Sequence, residues 1–246
     1  MNAIRARRRR IVVAGGVRLQ SYLLSLSPIL LMDGTLNGSN VANLGSGGTA
    51  LDGVPTAVTI DATGMTFNGT TSVITIPNHA SINAMSTQRW AFLINAATLG
   101  ESSAGSPFSW LDGVGGSRTA CRFQSTNRLQ ANVRTDATDA ACITNDNQVD
   151  FIGSLAWLFI DYDDADALGL GRRIRLMRGL SGAIATLTLA TDTAATGTVE
   201  TTTGSLYIGN RNTSDLTFNG LMKQVFASTG LWTTAIMQEL IDLAGV

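Results

Sequence analysis

Paired carboxylates are the side chains that could perform the most demanding chemistry, because glycoside hydrolysis uses two carboxyl groups about 5–9.5 Å apart. Asp161 and Asp163 end an apolar run, and strand alternation would place both on one face about 7 Å apart. They lead into Asp164-Ala-Asp166 and a glycine-rich segment, which is typical of a solvated hairpin end. The glutamates are isolated from one another (Glu101, Glu200 and Glu239). The sequence therefore leaves a glycosidase only as a remote alternative.

The same aspartate-rich segment could bind a cation, since carboxylate oxygens are ligands that calcium prefers. Its candidate calcium ligands are Asp161, Asp163, Asp164 and Asp166. The segment is not an EF-hand loop, because Arg172 stands where the bidentate glutamate belongs. Two alternative sets of oxygen ligands stay open: Asp33, Asn37 and Asn40, or Asn210, Asn212 and Asp215. Zinc is not predicted, because two cysteines and one histidine cannot build the usual four-ligand site.

Nucleophilic catalysis requires a positioned base, and His79 is the one histidine of the chain. It follows Ile76-Pro77-Asn78, which predicts a surface loop rather than a buried base. The sequence contains no Gly-x-Ser-x-Gly elbow, no phosphate-binding loop and no dinucleotide fingerprint. We therefore predict a protein that is not an enzyme.

A glycan site would need an exposed aromatic ring beside polar groups. Trp110 is the best candidate of the four tryptophans, because polar and glycine-rich segments flank it, and Asp112 and Arg118 lie close to it in the chain. Packing in the core or at a sheet edge stays open for Trp110. Trp90 and Trp157 lie inside apolar runs and are predicted to be core residues, and Trp232 is predicted to pack down the C-terminal helix.

Charge is distributed unevenly along the chain. The formal net charge is −1, from 17 basic and 18 acidic residues, but residues 1–18 contain six arginines and no acid, which leaves −7 on residues 19–246. The arginines of this basic arm include Arg5, Arg7, Arg8, Arg9 and Arg10. Guanidinium groups bind carboxylates and phosphates bidentately. The arm could therefore dock on an acidic protein surface, including another copy of this chain, or contact nucleic acid, or remain a solvated tail.

The elements that must position these residues are mainly strands. Charged residues make up 14% of the chain, lysine occurs once, and short apolar runs alternate with Gly, Asn, Asp and Ser. Several of these runs alternate polar and apolar residues, as Arg128–Val133 does, which predicts half-buried antiparallel strands in a sandwich or barrel. Only the C-terminal tail is predicted to be helical: Thr233 or Thr234 can cap a helix in which Ile236, Leu240 and Leu243 share one face.

The two cysteines are predicted to be free thiols. Cys121 and Cys142 would lie on the outer strands of a three-stranded meander around Arg128–Val133, with backbones about 9–10 Å apart. A disulfide requires Cα atoms within about 7 Å.

Five motifs in order resemble the LamG-like group of the concanavalin A-like lectin/glucanase superfamily. They are an opening strand and loop over residues 23–35, an F-x-G…I-x-I-P segment over 65–77, a hairpin over 157–179, Leu206–Asn210, and Phe218–Val225 with the helix after it. The match spans about residues 20–246. It implies an all-β, two-sheet antiparallel jelly-roll sandwich with one concave sheet and a short C-terminal helix; the basic N-terminal arm is predicted from the charge distribution and precedes the match. The resemblance also implies binding of sugars or proteins, and often of calcium.

We therefore predict an arm over residues 1–18 and a LamG-like β-sandwich over 19–246. The expected function is that of a structural protein of a bacteriophage virion, either a capsid decoration or a tail component, assembled in the host cytoplasm and docked through its arm as a homo-oligomer. Nucleic acid is the less favoured partner of the arm. The alternative is an extracellular or cell-surface glycan-binding module. No export signal is predicted, and no apolar run reaches the ~18 residues of a membrane span.

Overall fold

The fold consists of two antiparallel sheets packed face to face, with a layer of helices over one of them. The computed structural model describes residues 15–35, 41–83, 85–111, 117–145, 151–166, 169, 171–201, 203–211 and 215–246. The all-β sandwich predicted from the sequence is confirmed. Arg5 and Arg7–Arg10 of the predicted arm lie outside the described residues.

The described residues form sixteen strands and three α-helices. The strands are β1 (Leu30–Asp33), β2 (Val54–Thr56), β3 (Thr59–Asp61), β4 (Gly64–Asn68), β5 (Val73–Ile76), β6 (Gln88–Ala96), β7 (Phe108–Leu111), β8 (Ser117–Gln124), β9 (Arg128–Val133), β10 (Ala140–Thr144), β11 (Ala156–Tyr162), β12 (Ile174–Leu180), β13 (Ala183–Thr186), β14 (Leu189–Thr193), β15 (Leu206–Ile208) and β16 (Asn219–Ser228). The helices are α1 (Gly15–Ser25), α2 (Ala80–Asn83) and α3 (Thr234–Ala244), with 3-10 helices over Gly48–Leu51 and Glu101–Ser103.

Each sheet contains eight strands. The first sheet has the order β13-β12-β11-β6-β16-β4-β3, and β1 pairs with the second half of β16. The second sheet has the order β14-β10-β9-β8-β7-β15-β5-β2. Neighbouring strands of each sheet often lie far apart in the chain, as expected for a jelly roll closed by long-range pairing.

The sandwich core fills the space between the two sheets. Trp90 and Phe92 of β6 stack on Phe108 of β7 with ring centroids 4.7 and 5.0 Å apart. Along β9, buried residues alternate with half-buried ones, as predicted. The second sheet therefore turns one face to the core and leaves polar side chains on the other.

The first sheet is buried on both faces. Every residue of β11 is buried, and in β6 only Asn95 is partly exposed, because α1 and α3 pack over this sheet from outside. A second hydrophobic cluster joins the helices to the sheet through Leu23, Trp157, Phe159 and Leu240, among others. Strands that are covered on both faces have continuous apolar sequences, which explains why residues 156–160 are all apolar.

The prediction that only the tail is helical is wrong, because residues 15–25 form α1. Leu19, Tyr22, Leu23 and Leu26 follow the i, i+3, i+4, i+7 spacing of an amphipathic helix, and all pack on the second cluster. The resemblance placed the first strand from Leu23 onward, whereas β1 begins at Leu30. The predicted boundary between residues 18 and 19 falls inside α1.

The C-terminal predictions are confirmed with one refinement. The N-cap of α3 is Thr233, whose Oγ1 accepts a hydrogen bond from the Ile236 backbone N–H at 3.3 Å. Leu240 lies at the centre of the buried face, between Met237 and Ile241. Trp232 is 1% exposed and donates its Nε1–H to the Trp90 carbonyl at 2.9 Å, so it does hold the segment before α3 against the sheet.

Cys121 and Cys142 are free, as predicted, and both are buried. Ala131 of β9 pairs with both of them, so one strand separates the two cysteines. Burial raises the pKa of both thiols, that of Cys142 to about 12. These thiols are therefore inert packing groups rather than nucleophiles.

Candidate ligand-binding cleft

A polar cavity lies on the outer side of the second sheet, across β7, β8 and β9. It has a volume of about 210 Å³, and we call it the binding cleft. It is lined by Ser106, Ser109, Ala120, Arg122, Gln130, Asn132, Arg211 and Leu216. Both long helices pack on the first sheet, on the far side of the molecule from this cleft.

Strand register assembles the floor of the binding cleft. Ser109 of β7 lies opposite Ala120 of β8, which lies opposite Asn132 of β9. One step along, Arg122 lies opposite Gln130. Directly paired residues of antiparallel strands project from the same face, so residues from three separate segments form one polar row.

Arg122 is held in place by Gln130. Its Nε and Nη2 both donate to the Gln130 side-chain oxygen, at 2.9 and 2.7 Å. The Gln124 amide donates to the same oxygen. This oxygen therefore accepts three hydrogen bonds and fixes the guanidinium plane above the sheet. Hydrogen bonds from a charged donor are stronger than neutral ones, so the arrangement is rigid before any ligand arrives.

The rim of the cleft is built by the segment after β15. Asn210 is fully buried, and its side-chain oxygen accepts from the backbone N–H groups of Arg211 and Leu216 at 2.8 and 3.2 Å. The Arg211 guanidinium forms a bidentate ion pair with Asp215. Asn210 thus shapes the loop that carries two cleft residues.

Tyr207 of β15 lies opposite Ser109 and is half-buried, between the inward-facing Leu206 and Ile208. Its ring is therefore on the outer face of the sheet, next to the binding cleft in register.

The glycan residues predicted from the sequence are not brought together among the described residues. Trp110 lies on β7 opposite Leu206, but its side chain, like Asp112, is outside the described part of the chain. Arg118 is 1% exposed and donates from Nη2 to the Met85 carbonyl at 2.9 Å. Burial lowers its pKa to about 10. Arg118 is thus an interior residue and is not available to a sugar at the surface, which corrects the prediction.

Asp161 and Asp163, the two aspartates with the spacing of a hydrolytic pair, are engaged in structural bonds. The Asp161 carboxylate is 1% exposed, forms an ion pair with Arg175, and accepts the Trp232 backbone N–H at 3.1 and 3.2 Å. Asp163 accepts from the Thr87 hydroxyl at 3.2 Å and from the Ala165 N–H at 3.1 Å. Burial raises the pKa of Asp161 to about 6, and the Arg175 guanidinium opposes that rise.

The remaining aspartates of the predicted calcium site are also occupied. Asp164 forms an ion pair with Arg172 and accepts the Tyr162 hydroxyl at 3.0 Å, while Asp166 accepts the Gly171 N–H at 2.7 Å. Within the described ranges, no three acidic, histidine or cysteine side chains are grouped as metal ligands. Calcium would have to displace arginine from Asp161 and Asp164, so the donors do not fit it in this arrangement. Calcium binding stays a prediction.

The two alternative sets of calcium ligands lie only partly within the described residues. Asp33 uses Oδ1 to accept the Thr35 backbone N–H and hydroxyl, at 3.0 and 2.6 Å. Asn37, Asn40 and Asn212 lie outside the described residues.

His79 lies in a loop, as predicted, and its Nδ1 contacts the Ser81 hydroxyl at 2.8 Å and accepts the Ser81 backbone N–H at 3.2 Å. The His79 side chain therefore bonds to the first turn of α2.

Sequence reasoning missed Arg122, Gln130 and Asn132. The alternation of Arg128–Val133 already places Gln130 and Asn132 on the polar face of one strand. Their partner Arg122 is revealed only by the pairing of β8 with β9.

Comparison with known proteins supports the fold. No protein-family model and no curated protein matches the chain. Among solved structures, Trypanosoma rangeli sialidase in complex with sialic acid is 13% identical over 88% of this chain and 33% of that chain, with a TM-score of 0.59. The botulinum neurotoxin serotype G binding domain is 13% identical over 88% of this chain and 51% of that chain, with a TM-score of 0.58. The chain thus spans about a third and a half of these two structures, and it shares a β-sandwich fold with them.

Among the residues that the structure describes, no helix is both long and apolar enough to cross a membrane.

Proposed function

We propose that this protein is a non-catalytic carbohydrate-binding module whose ligand lies in the binding cleft on β7, β8 and β9. The observation that supports this most directly is the row of guanidinium and amide groups along the cleft. Sugar hydroxyls donate and accept hydrogen bonds, so they are recognised by polar groups in set positions. Because Gln130 orients Arg122 in advance, little side-chain entropy is lost when a ligand binds.

The charge of the binding cleft favours an acidic glycan. Arg122 and Arg211 both line it; Arg211 is paired with Asp215, whereas Arg122 has no carboxylate partner within the part of the chain that the structure describes. Guanidinium groups bind carboxylates bidentately. We expect a carboxylate-bearing glycan to bind more tightly than its neutral counterpart. The sialidase that shares the fold was solved with sialic acid, but the argument for this chain rests on the cleft.

The bonding of the Asp161 and Asp163 carboxylates supports the proposal of a non-catalytic role. Asp161 and Asp163, the pair with hydrolytic spacing, are buried and bonded to neighbouring residues. Neither lines the binding cleft. Hydrolysis needs one carboxyl group as acid and another as base or nucleophile beside the sugar.

The test is glycan binding by the full chain and by Arg122→Ala, measured on an array of neutral and acidic glycans and by calorimetry with the best ligand. We expect Arg122→Ala to weaken binding at least tenfold, about 1.4 kcal/mol, since it removes a charged donor. Arg173→Ala is the matched control, because Arg173 is a partly exposed arginine paired with Asp192, away from the cleft.

Equal binding by Arg122→Ala and the unaltered chain would overturn the proposal. So would a failure of the unaltered chain to bind any glycan on the array. Circular dichroism melts of both variants check that each one folds.

A second candidate is the virion role, as a capsid decoration or tail component docked through the arm in a homo-oligomer. Two observations favour it: the run Arg7–Arg10, and the −7 charge of residues 19–246, which can attract the arm of a neighbouring copy. The chain that carries the arm joins the body at Gly15, the first residue of α1, and α1 packs on the first sheet. Nucleic acid, and an extracellular or cell-surface location, are the competing alternatives.

Removal of residues 1–14, which keeps α1, tests this role more cleanly than a cut at residue 18. Light scattering after size-exclusion chromatography would compare the truncated chain with the full chain and with a variant carrying Lys at Arg5 and Arg7–Arg10. We expect assembly by the full chain, weaker assembly by the lysine variant and none by the truncated chain. Assembly without the arm would contradict the docking role, and salt-dependent binding of an oligonucleotide would favour nucleic acid instead.

A further inference from the structure

A second cavity lies on the opposite side of the molecule, between the helix layer and the first sheet. It has a volume of about 250 Å³, and we call it the helix-side cavity. Its apolar walls include Leu19 of α1, Leu93 of β6 and Leu243 of α3. The proposed glycan role does not use this cavity, because the binding cleft is on the other sheet.

A β-bulge places two consecutive polar residues in this cavity. Between β16 and β6, Met222 pairs with Ile94 and Gln224 pairs with Leu93, so Lys223 is one extra residue in β16. Met222 faces the sandwich core, yet Lys223 and Gln224 both line the helix-side cavity. Regular alternation would place only one of them there. Bulges re-aim side chains in this way and are common beside functional sites.

The side-chain oxygen of Gln224 is buried without a hydrogen-bond partner among the described residues. Gln224 as a whole is 4% exposed. A buried amide oxygen without a donor is unfavourable, and such groups in native proteins are normally satisfied by a protein group, a water or a ligand. The side-chain oxygen of Gln224 therefore needs an N–H or O–H donor inside the cavity.

Two charged residues line the same cavity as Gln224. Asp33 of β1 lies opposite Gln224 in register and lines the same cavity, with Oδ1 already bonded to Thr35. Lys223 is half-buried beside it and is the one lysine of the chain. The cavity thus combines a carboxylate and an amide oxygen as acceptors, an ammonium group as donor, and leucine side chains.

We propose that the helix-side cavity binds a small zwitterion with an apolar side chain, namely an α-amino acid of about the size of leucine. Its ammonium group would donate to Gln224 Oε1 and to the Asp33 carboxylate, and its carboxylate would accept from Lys223. Its side chain would lie against Leu19, Leu93 and Leu243. Small-molecule sites commonly have this composition, an apolar wall with a few convergent polar groups.

The test is calorimetry of the full chain with L-leucine, isoamylamine and 4-methylvalerate. Isoamylamine lacks the carboxylate, and 4-methylvalerate lacks the ammonium group. We expect L-leucine to bind at least tenfold more tightly than either analogue. Gln224→Met, which keeps the side-chain length and removes the acceptor, should weaken leucine binding at least tenfold while the protein remains folded. Gln238→Met is the matched control, because Gln238 is a half-buried residue of α3 that does not line the cavity, and this variant should bind leucine as the unaltered chain does.

Failure of the unaltered chain to bind L-leucine would overturn the proposal, and so would equal binding by Gln224→Met. A thermal melt of Gln224→Met separates loss of the site from loss of the fold, and Lys223→Met gives a second variant that alters a partly exposed residue. Arg122→Ala should leave leucine binding unchanged, so the failure of this proposal and the failure of the glycan proposal can be told apart.

Discussion

At the scale of single residues, Arg89 joins the helix layer to the first sheet. Its Nε donates to the Ser228 hydroxyl at 2.9 Å, and its Nη2 donates to the Leu26 carbonyl, just after α1, at 3.1 Å. Its guanidinium carbon lies 4.8 Å from the Trp232 ring centroid. Asp161 supplies the opposing charge and is itself bonded to Arg175. One buried polar network therefore holds both ends of the helix layer.

The buried carboxyl of Asp161 should make stability depend on pH. Its pKa is about 6 in the folded chain against an ordinary 3.8, mainly because of burial. Between about pH 4 and 6 the folded chain therefore binds more protons than the unfolded chain, and the Asp161 contribution to the free energy of unfolding falls as pH rises. The fall amounts to at most ~3 kcal/mol and levels off above pH 6.

Urea unfolding at pH 4 to 7 measures this effect, and Asp161→Asn should remove that part of the pH dependence. Asp192→Asn, at the partly exposed ion pair with Arg173, is the control and should retain it. Identical pH profiles for the unaltered chain and Asp161→Asn would show that another group titrates in this range.

Gly209 should tolerate no side chain. Its φ is +78°, and a Cβ there would lie 2.0 Å from Cε1 of Phe67. Gly182 has nearly the same φ of +76°, but no described heavy atom lies within 4 Å of its would-be Cβ. Gly209→Ala therefore combines backbone strain with overpacking and should lower the free energy of unfolding by ~3 kcal/mol or more, against ~1–2 kcal/mol for Gly182→Ala. Chemical denaturation compares the two, and equal losses would mean that Phe67 moves aside freely.

At the scale of elements, α1 and α3 share one task, which is to cover the outer face of the first sheet. Trp157 of β11 donates its Nε1–H to the Leu240 carbonyl of α3 at 3.1 Å, and its ring stacks on Phe159 at 5.6 Å. Leu19 and Leu23 of α1 join the same cluster. The helices are therefore part of the hydrophobic core and not appendages to the sandwich.

Thr233 should matter more than its neighbour Thr234, although the sequence allows either one as the N-cap. Thr233→Ala removes the bond to the Ile236 N–H and should lower the free energy of unfolding by about 1 kcal/mol. Thr234→Ala changes the first helical position and should have almost no effect, because alanine is a good helix former. Thermal melts of both variants measure the difference, and a larger loss at Thr234 would contradict this cap assignment.

At the scale of the whole molecule, the three layers have different outer surfaces. The helix layer closes the first sheet, while the second sheet keeps a polar outer row that includes Arg122 and Gln130. The two candidate sites therefore face away from each other. A ligand in the binding cleft and a ligand in the helix-side cavity would not compete for space.

Truncation should separate the arm from the helix layer. Removal of residues 1–25 uncovers the apolar surface against which Leu19 and Leu23 pack, each worth ~1.5–3 kcal/mol. We expect Tm to fall by about 10 °C or more. Removal of residues 1–14 leaves α1 in place, and Tm should then stay within a few degrees. Differential scanning calorimetry measures both, and equal Tm values would show that α1 contributes nothing to folding stability.

Much of the fold could be predicted from the sequence because it depends on local spacing. Alternation identified Arg128–Val133 as a half-buried strand, the apolar runs around Trp90 and Trp157 identified core strands, and the Thr-rich start of the C-terminal segment identified the helix there. Residue type and spacing alone determine these features. Residues 15–25 also have apolar residues at helical spacing. The segment follows the arginine run and resembles a first strand, so the sequence does not predict the helix there.

The sites were decided by the tertiary structure. Arg122 meets Gln130, and Gln224 meets Asp33, only through strand register, and the bulge at Lys223 depends on how β16 pairs with β6. Asp161 has the sequence context of a surface aspartate, and the helix layer buries it. Spacing along the chain determines which residues share a face of one element. Pairing and burial depend on contacts between separate segments, and the spacing within one segment does not specify which segments meet.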